Sequence, residues 1–347
     1  MISKRNKEIL LSFIKDKRKK KWFQIIKEFI TLFFLEKRVP VHYITNLLYR
    51  KDISNYKDYL SLSENEKMLE WSHSHAKEQI AIVENKLLFE ALLVKNNIAT
   101  PQIFFHNLKK KFTYKNNIFE IENKKELFSF LEKVFNDLNV QCFFCKPIDG
   151  QMGQNIFILD KNTFRNSNDT IINLILSQAF IFQELILQHK SLNKINKYSV
   201  NTLRIVTYKN KESKVVILSG FIRLGRTDAI VDNAHAGGIV VSVNSETGKM
   251  KHEGVQLLDN GGGVFYEHPD TGIIFDNFQI PYFIQVKGIV AKAATFLNFP
   301  LLGWDVAITP NGPVIIEVNH KFHLFLSDRM ENGLKRNPTF NKLLQQI

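Results

Sequence analysis

The chain has 347 residues, a net charge of +13, 44% hydrophobic and 23% charged residues. This composition excludes global disorder, and the length is enough for a core spread over two or three lobes. Residues 1–60 hold fifteen Lys and Arg against six Asp and Glu, a net +9 that leaves +4 for the rest, and no zinc-finger, homeodomain or RNP pattern accompanies that basic end, so nucleic acid is not an expected partner.

In chain order, Lys15 to Lys21 form a nearly unbroken basic run, followed by Trp22, Ile26, Phe29, Ile30 and Phe33 at helical spacing. Lys27 and Glu28 interrupt the apolar residues, and the segment is too short to span a bilayer. Two readings stand side by side. Residues 1–36 rest on an anionic membrane surface, or the apolar face packs on the body of the protein with the lysines in water.

A helix is predicted over about Ile82 to Asn96, a strand over Gln102 to Phe105, and a second helix over Lys124 to Leu138, leading into the strand Val140 to Cys145. The odd spacing of Cys142 and Cys145 puts them on opposite faces of a strand, which argues for core packing in a reducing compartment and against a disulfide or zinc site. Lys146 then precedes a loop containing Gly150 and Gly153. Glycines let backbone amides approach a polyphosphate and a lysine at a strand end can neutralise it, although a plain strand–Gly–strand hairpin has the same appearance.

The strand that begins at Ala179 is interrupted by Gln183 and Glu184, with Leu185 and Ile186 after them. Arg204 and Arg223 each sit inside an otherwise apolar strand. A buried guanidinium needs an anion, supplied either by neighbouring Asp and Glu or by a ligand phosphate. Asn233, Gly237 and Gly238 suggest close backbone approach to a ligand, and a tight turn explains the glycines equally well. His235, His268 and His323 lack ligand spacing and are expected to make single polar contacts.

Near the C-terminus two alternating runs flank Pro310-Asn311-Gly312. Pairing Thr309 with Pro313 sets Asp305 across from Glu317 on one face, with Asn319 two residues further along it. Two carboxylates so placed repel, and a divalent cation reverses that; the alternative is an ordinary surface hairpin with solvated acids.

Taken together, Ser199 to Arg204, Arg223 to Arg226, Asp232-Asn233 with Gly237-Gly238, His268 to Gly272, and Gly303-Trp304-Asp305 to Glu317-Val318-Asn319 resemble the ATP-grasp superfamily, and within it the sugar-transfer-associated branch of bacterial surface-polysaccharide genes. The resemblance covers most of the chain after about residue 80. It implies an α+β fold in which two α+β lobes hold the nucleotide between them, with an N-terminal helical extension. The implied division is a basic extension over 1–78, an N-terminal α/β region over 79–140, a lid over 141–189 and a catalytic, metal-binding part over 190–347.

By the same resemblance Lys146 contacts adenine and the α-phosphate, the loop of Gly150 and Gly153 closes over the triphosphate, and Gln183, Glu184, Leu185 and Ile186 form the adenine hinge. Ribose falls to Gln188 or His189. Arg204 and Arg223 are catalytic phosphate or acyl-phosphate clamps, and Asp305, Glu317 and Asn319 hold two Mg2+ ions. Arg226, Asn233, Gly237, Gly238 and Lys321 face the substrate. The implied activity is an ATP-dependent ligase that joins a carboxylate, such as a uronic acid of a glycan precursor, to a small amine. It would work in the cytoplasm, with a peripheral seat at the inner face of the bacterial plasma membrane. A kinase acting on a hydroxyl, or a nucleotide-binding scaffold without catalysis, are the competing readings.

Overall fold

The computed structural model describes residues 4–149, 154–226 and 237–347. They divide into two units, one built from the chain up to Gln79 together with Gln188–Ile347, the other from Ile80–Leu187.

The chain opens with helices α1 (Lys4–Lys15), α2 (Trp22–Glu36), α3 (His42–Thr45) and α4 (Leu62–Ser74). Helix α4 starts where the sequence Ser61-x-x-Glu64 supplies a capping box: the Ser61 hydroxyl accepts the Glu64 amide and the Glu64 carboxylate accepts the Ser61 amide. Helix α2 buries Ile25, Glu28 and Leu32. The buried Glu28 carboxylate accepts from Lys20 Nζ at 2.6 Å and from the Tyr43 hydroxyl at 2.7 Å, so a charge inside the arm is matched on the spot.

The second unit contains α5 (Ile80–Glu84), α6 (Lys86–Lys95), β1 (Ile103–Leu108), β2 (Lys111–Tyr114), β3 (Asn117–Glu120), α7 (Lys124–Leu138), β4 (Cys142–Pro147), β5 (Phe157–Asp160), α8 (Asp169–Ser177) and β6 (Ala179–Gln183). The single helix expected over residues 82–96 is two. Asn85 turns its side chain back to accept the amides of Leu87 and Leu88, capping α6 and ending α5 before it. The antiparallel sheet runs β3-β2-β1-β6-β4-β5 and packs on α7 through an aromatic core that includes Phe105, Phe112, Phe130, Phe135, Phe143 and Phe182. Both cysteines are free on β4, with Cys145 inside that core and Cys142 half-buried.

The first unit resumes with α9 (Lys190–Ile195), β7 (Leu203–Lys209), β8 (Val215–Leu224), β9 (Ile239–Val243), β10 (Met250–Gln256), β11 (Val264–Phe265), α10 (Phe283–Thr295), β12 (Leu301–Thr309), β13 (Gly312–Asn319), α11 (Phe325–Met330) and α12 (Pro338–Leu344). Its antiparallel sheet runs β11-β10-β9-β8-β7-β12-β13, so the last hairpin joins beside β7 rather than beside the strand that precedes it in the chain. Helix α10 packs across β7, β8, β12 and β13.

The register of that hairpin differs from the expected one beside the turn and agrees with it further along. Thr309 pairs with Gly312 and Ile308 with Pro313, one residue short of the expected pairing. An irregularity between Asp305 and Val306 then takes up Ile316, and Asp305 pairs with Glu317 and Gly303 with Asn319. A bulge adds one residue to one strand, which cancels the tighter turn.

Candidate functional site

The polar centre of the first unit is built on four adjacent strands. Asp305 of β12 lies directly across from Arg204 of β7 and, on its other side, from Glu317 of β13. Arg204 meets the Asp305 carboxylate with two bonds, Nε to Oδ1 at 2.6 Å and Nη2 to Oδ2 at 3.0 Å. Arg223 of β8 reaches the same Oδ1 at 3.2 Å, and the Asn319 amide donates to Oδ2 at 3.3 Å. Burial would raise the Asp305 carboxyl, and the guanidinium charges of Arg204 and Arg223 outweigh that, holding it below the usual carboxylate range.

Small and polar neighbours make room for this cluster. A Cβ at Gly303 would touch Arg204 and Phe322 at 3.4 Å, and the Arg204 guanidinium lies 5.9 Å from the centre of the Phe322 ring. Thr202, just before β7, accepts from Arg223 Nε at 3.0 Å and Nη2 at 2.6 Å. Nothing in the sequence pattern distinguishes Thr202 from an ordinary strand residue, and its positioning role shows only once β7 and β8 are paired.

The expected cation partners therefore split. Asp305 is committed to two arginines, whereas the carboxylate of Glu317, half-buried on the facing strand, has no hydrogen bond or ion pair among the described residues. No group of three or more His, Cys, Asp or Glu side chains suited to a metal occurs among the described residues. The expected set consists of two carboxylates and an amide. Glu317 and Asn319 suit magnesium, which takes few protein ligands and draws the remainder from phosphate and water; in this arrangement Asp305 is spoken for.

The strand ends next to this cluster are tied by a network of amides. Buried Gln188 accepts the Asn201 amide at 2.6 Å and donates to the Asn196 carbonyl, while Asn201 Oδ1 accepts the Gly225 amide at 3.2 Å. A Cβ at Gly225 would lie 2.1 Å from Ser199 Oγ. The His268 to Gly272 motif serves the same corner. His268, fully buried, bonds the Gly225 carbonyl at 2.9 Å, Thr271 donates to the Ile195 carbonyl, and Asp270 pairs with Arg226 at 3.6 Å. His189 caps α9, its Nδ1 accepting the Ser191 amide, and its ring meets Tyr282 edge-on. Gly237 takes a left-handed φ of 92° and its carbonyl accepts from Gln256, and buried Gly238 leads into β9. Lys321 is exposed. Asn233, like Gly150 and Gly153, lies outside the described residues.

In the second unit Lys146 is buried on β4 opposite Ile181, and Gln183 closes β6 opposite Phe144. Glu184 brackets Gln102, donating its own amide to the Gln102 carbonyl and accepting the Gln102 amide on its carboxylate, both at 2.9 Å. Leu185 and half-buried Ile186 then leave the sheet, and among the described residues neither uses its backbone in a hydrogen bond. Unspent backbone donors and acceptors beside apolar side chains are what the edge of a purine needs.

The sugar-transfer associated ATP-grasp family profile matches residues 71–338. No curated protein matches the chain. Among solved structures, the ATP-grasp ligase PsnB with its minimal precursor is 13% identical, with 81% of this chain and 68% of that one covered at a TM-score of 0.42. N5-carboxyaminoimidazole ribonucleotide synthetase from Thermotoga maritima is 10% identical over 74% of this chain, TM-score 0.40, and the match spans 49% of its own length. D-alanyl-alanine synthetase A from Vibrio cholerae is 11% identical, covering 77% and 65% of the two chains at a TM-score of 0.40.

Proposed function

The chain belongs to the sugar-transfer associated ATP-grasp family, whose members are ATP-dependent ligases, and from that premise we propose a carboxylate–amine ligase acting through an acyl phosphate. A carboxylate oxygen attacks the γ-phosphorus of ATP and ADP leaves. The amine nitrogen then attacks the acyl carbon, phosphate departs and a proton is lost from nitrogen. The observation that carries this reading is the pair of guanidiniums, Arg204 and Arg223, converging on one buried carboxylate across from Glu317.

Arginine binds phosphate with the same fork that here grips Asp305. A phosphate taking those forks frees Asp305 to join Glu317 and Asn319, so the three act as cation ligands only when nucleotide is present. Magnesium, when bound, neutralises the transferring phosphoryl group. Lys146 supplies positive charge for the nucleotide phosphates, and the backbone of Glu184 to Ile186 reads the base. Substrate recognition is assigned in this reading to Arg226, Asn233, Gly237, Gly238 and Lys321. The acceptor class is a uronic acid or similar acidic sugar of a surface-polysaccharide precursor. The site of action is the cytoplasm, where ATP is supplied, at the inner face of the bacterial plasma membrane.

The test has two stages. Melting with Mg2+ and ATP or ADP should rise, since a ligand at 100 times its dissociation constant adds about 2.7 kcal/mol; no rise with either nucleotide would remove the site altogether. Uronic acids are then screened with ATP and hydroxylamine. A ligase yields hydroxamate and ADP, whereas phosphorylation of a hydroxyl yields ADP with no hydroxamate and would replace this reading with a kinase.

A further inference from the structure

Helix α2 has two apolar faces, and the body of the protein covers one of them. Ile25, Glu28 and Leu32 point inward. Trp22, Phe23, Ile26, Ile30, Phe33 and Phe34 occupy a contiguous arc of about 120° on the helical wheel on the other side, and each is between 42% and 80% exposed. On α1, Leu10, Leu11 and Ile14 are exposed as well. A run of six large apolar side chains on one rigid helix is far outside the scattered exposure normal for a surface.

From Lys15 to Leu35 the exposed charge has one sign. The acids between Lys15 and Leu35 are Asp16 and Glu28. Both are turned inward and matched, Asp16 by Arg50 at 2.7 Å and Glu28 by Lys20 at 2.6 Å. Lys15, Lys17, Lys21 and Lys27 stay in solvent. Beside them a surface cavity of about 610 Å3 is lined by Lys15, Lys17, Arg18 and Arg50 with Tyr266, and its single carboxylate is that of Asp16, already paired. No helix among the described residues is long and apolar enough to cross a membrane, which leaves the interfacial layer.

We propose that α2 lies flat in the interface of an anionic lipid bilayer, its Trp22-to-Phe34 face among the acyl chains and the four lysines against lipid phosphates. The two readings of the arm are then both met, on opposite faces of one helix. A second copy is the poorer occupant, because its own α2 face offers the lysines no free carboxylate, Asp16 and Glu28 being paired inward.

The full chain is mixed with vesicles of phosphatidylcholine containing phosphatidylglycerol, and with vesicles of phosphatidylcholine alone, and sedimented. Binding is expected on the anionic vesicles and at least about tenfold weaker on the neutral ones. Phe23→Ser with Phe34→Ser, and separately Lys15, Lys17, Lys21 and Lys27→Gln, should each lower the partition coefficient on anionic vesicles about tenfold or more. Both variants should melt like the parent, since these side chains are exposed. No sedimentation with anionic vesicles overturns the proposal, as does unchanged binding by the Phe variant. A concentration-dependent dimer that the Phe variant abolishes, with no vesicle binding, assigns the face to a second copy instead. Retained nucleotide-induced stabilisation in the variants separates failure here from failure of the ligase reading.

Discussion

The two sheets bury different things. In the six-stranded sheet the interior is a stack of rings: Phe105 lies parallel to Phe182 at 4.2 Å and edge-on to Phe143 at 5.1 Å, and Phe143 stacks on Phe135 at 4.3 Å. Its buried Asn107 spends its amide on the carbonyls of Lys109 and Ile175 and accepts the Phe180 amide. The seven-stranded sheet instead buries a carboxylate between two guanidiniums. Aromatic packing is stable as it stands and binds nothing. A matched ionic cluster is close to break-even for stability, and its arginines are able to exchange a carboxylate for another anion.

That contrast is open to attack by substitution. The largest effects should come from Phe143→Ala and Asp305→Ala, each costing about 3–5 kcal/mol in urea unfolding, the first by leaving a cavity and the second by leaving two half-buried guanidiniums without their shared carboxylate. They should part company in added phosphate, which restores part of the loss at Asp305→Ala and none at Phe143→Ala. Equal behaviour would mean that the arginines do not exchange partners. Next in size, Glu317→Gln should change stability by less than about 0.5 kcal/mol yet lower ATP turnover by about 100-fold, which is about 2.7 kcal/mol of barrier. An equal loss of stability would make Glu317 part of the scaffold.

The smallest effect lies where the arm meets the C-terminal helices and depends on pH. Burial pushes the Glu36 and Asp328 carboxyls up to about 7 and the His42 ring down to about 4. The folded chain holds the two carboxyl protons where the unfolded chain releases them, so the Glu36 contribution falls as pH rises from about 4.5 to 7 and the Asp328 contribution as pH rises from about 3.8 to 7. His42 runs the opposite way, costing stability as pH falls from about 6.5 to 4. Among these three groups, two declining contributions against one rising give a decline toward neutral pH. Glu36→Gln, which cannot ionise, should flatten that profile and melt higher at pH 8, by on the order of 1–3 kcal/mol, with no gain at pH 4. A Glu36→Gln profile that tracks the parent from pH 4 to 8 would show that Glu36 does not hold its proton as described.

What the sequence made legible follows from periodicity. Alternation over residues 303–319 was enough to set Asp305 opposite Glu317, and helix α7 begins and ends at the expected residues. It was not enough to show that the turn is a residue tighter or that Ile316 compensates, because a bulge leaves no mark on a hydrophobic pattern. The partners of Arg204 and Arg223 were harder still. A carboxylate or a phosphate would have met the need equally, and the choice of Asp305 depends on β12 docking beside β7, a non-local pairing that no local pattern encodes. At Asn85 the miss was local: an Asn inside an apolar run reads as helix until its side chain is seen to start a new one.

The position of β12 also has a consequence in time. Arg204 and Asp305 are 101 residues apart. At the roughly 5–20 residues per second of synthesis, Arg204 is made about 5–20 s before its carboxylate partner. During that interval β7 has no neighbour on its β12 side and carries an unmatched positive charge on that bare edge. A strand edge so charged is a poorer template for pairing with another chain, a property the Arg204–Asp305 pair removes once the last hairpin closes the sheet.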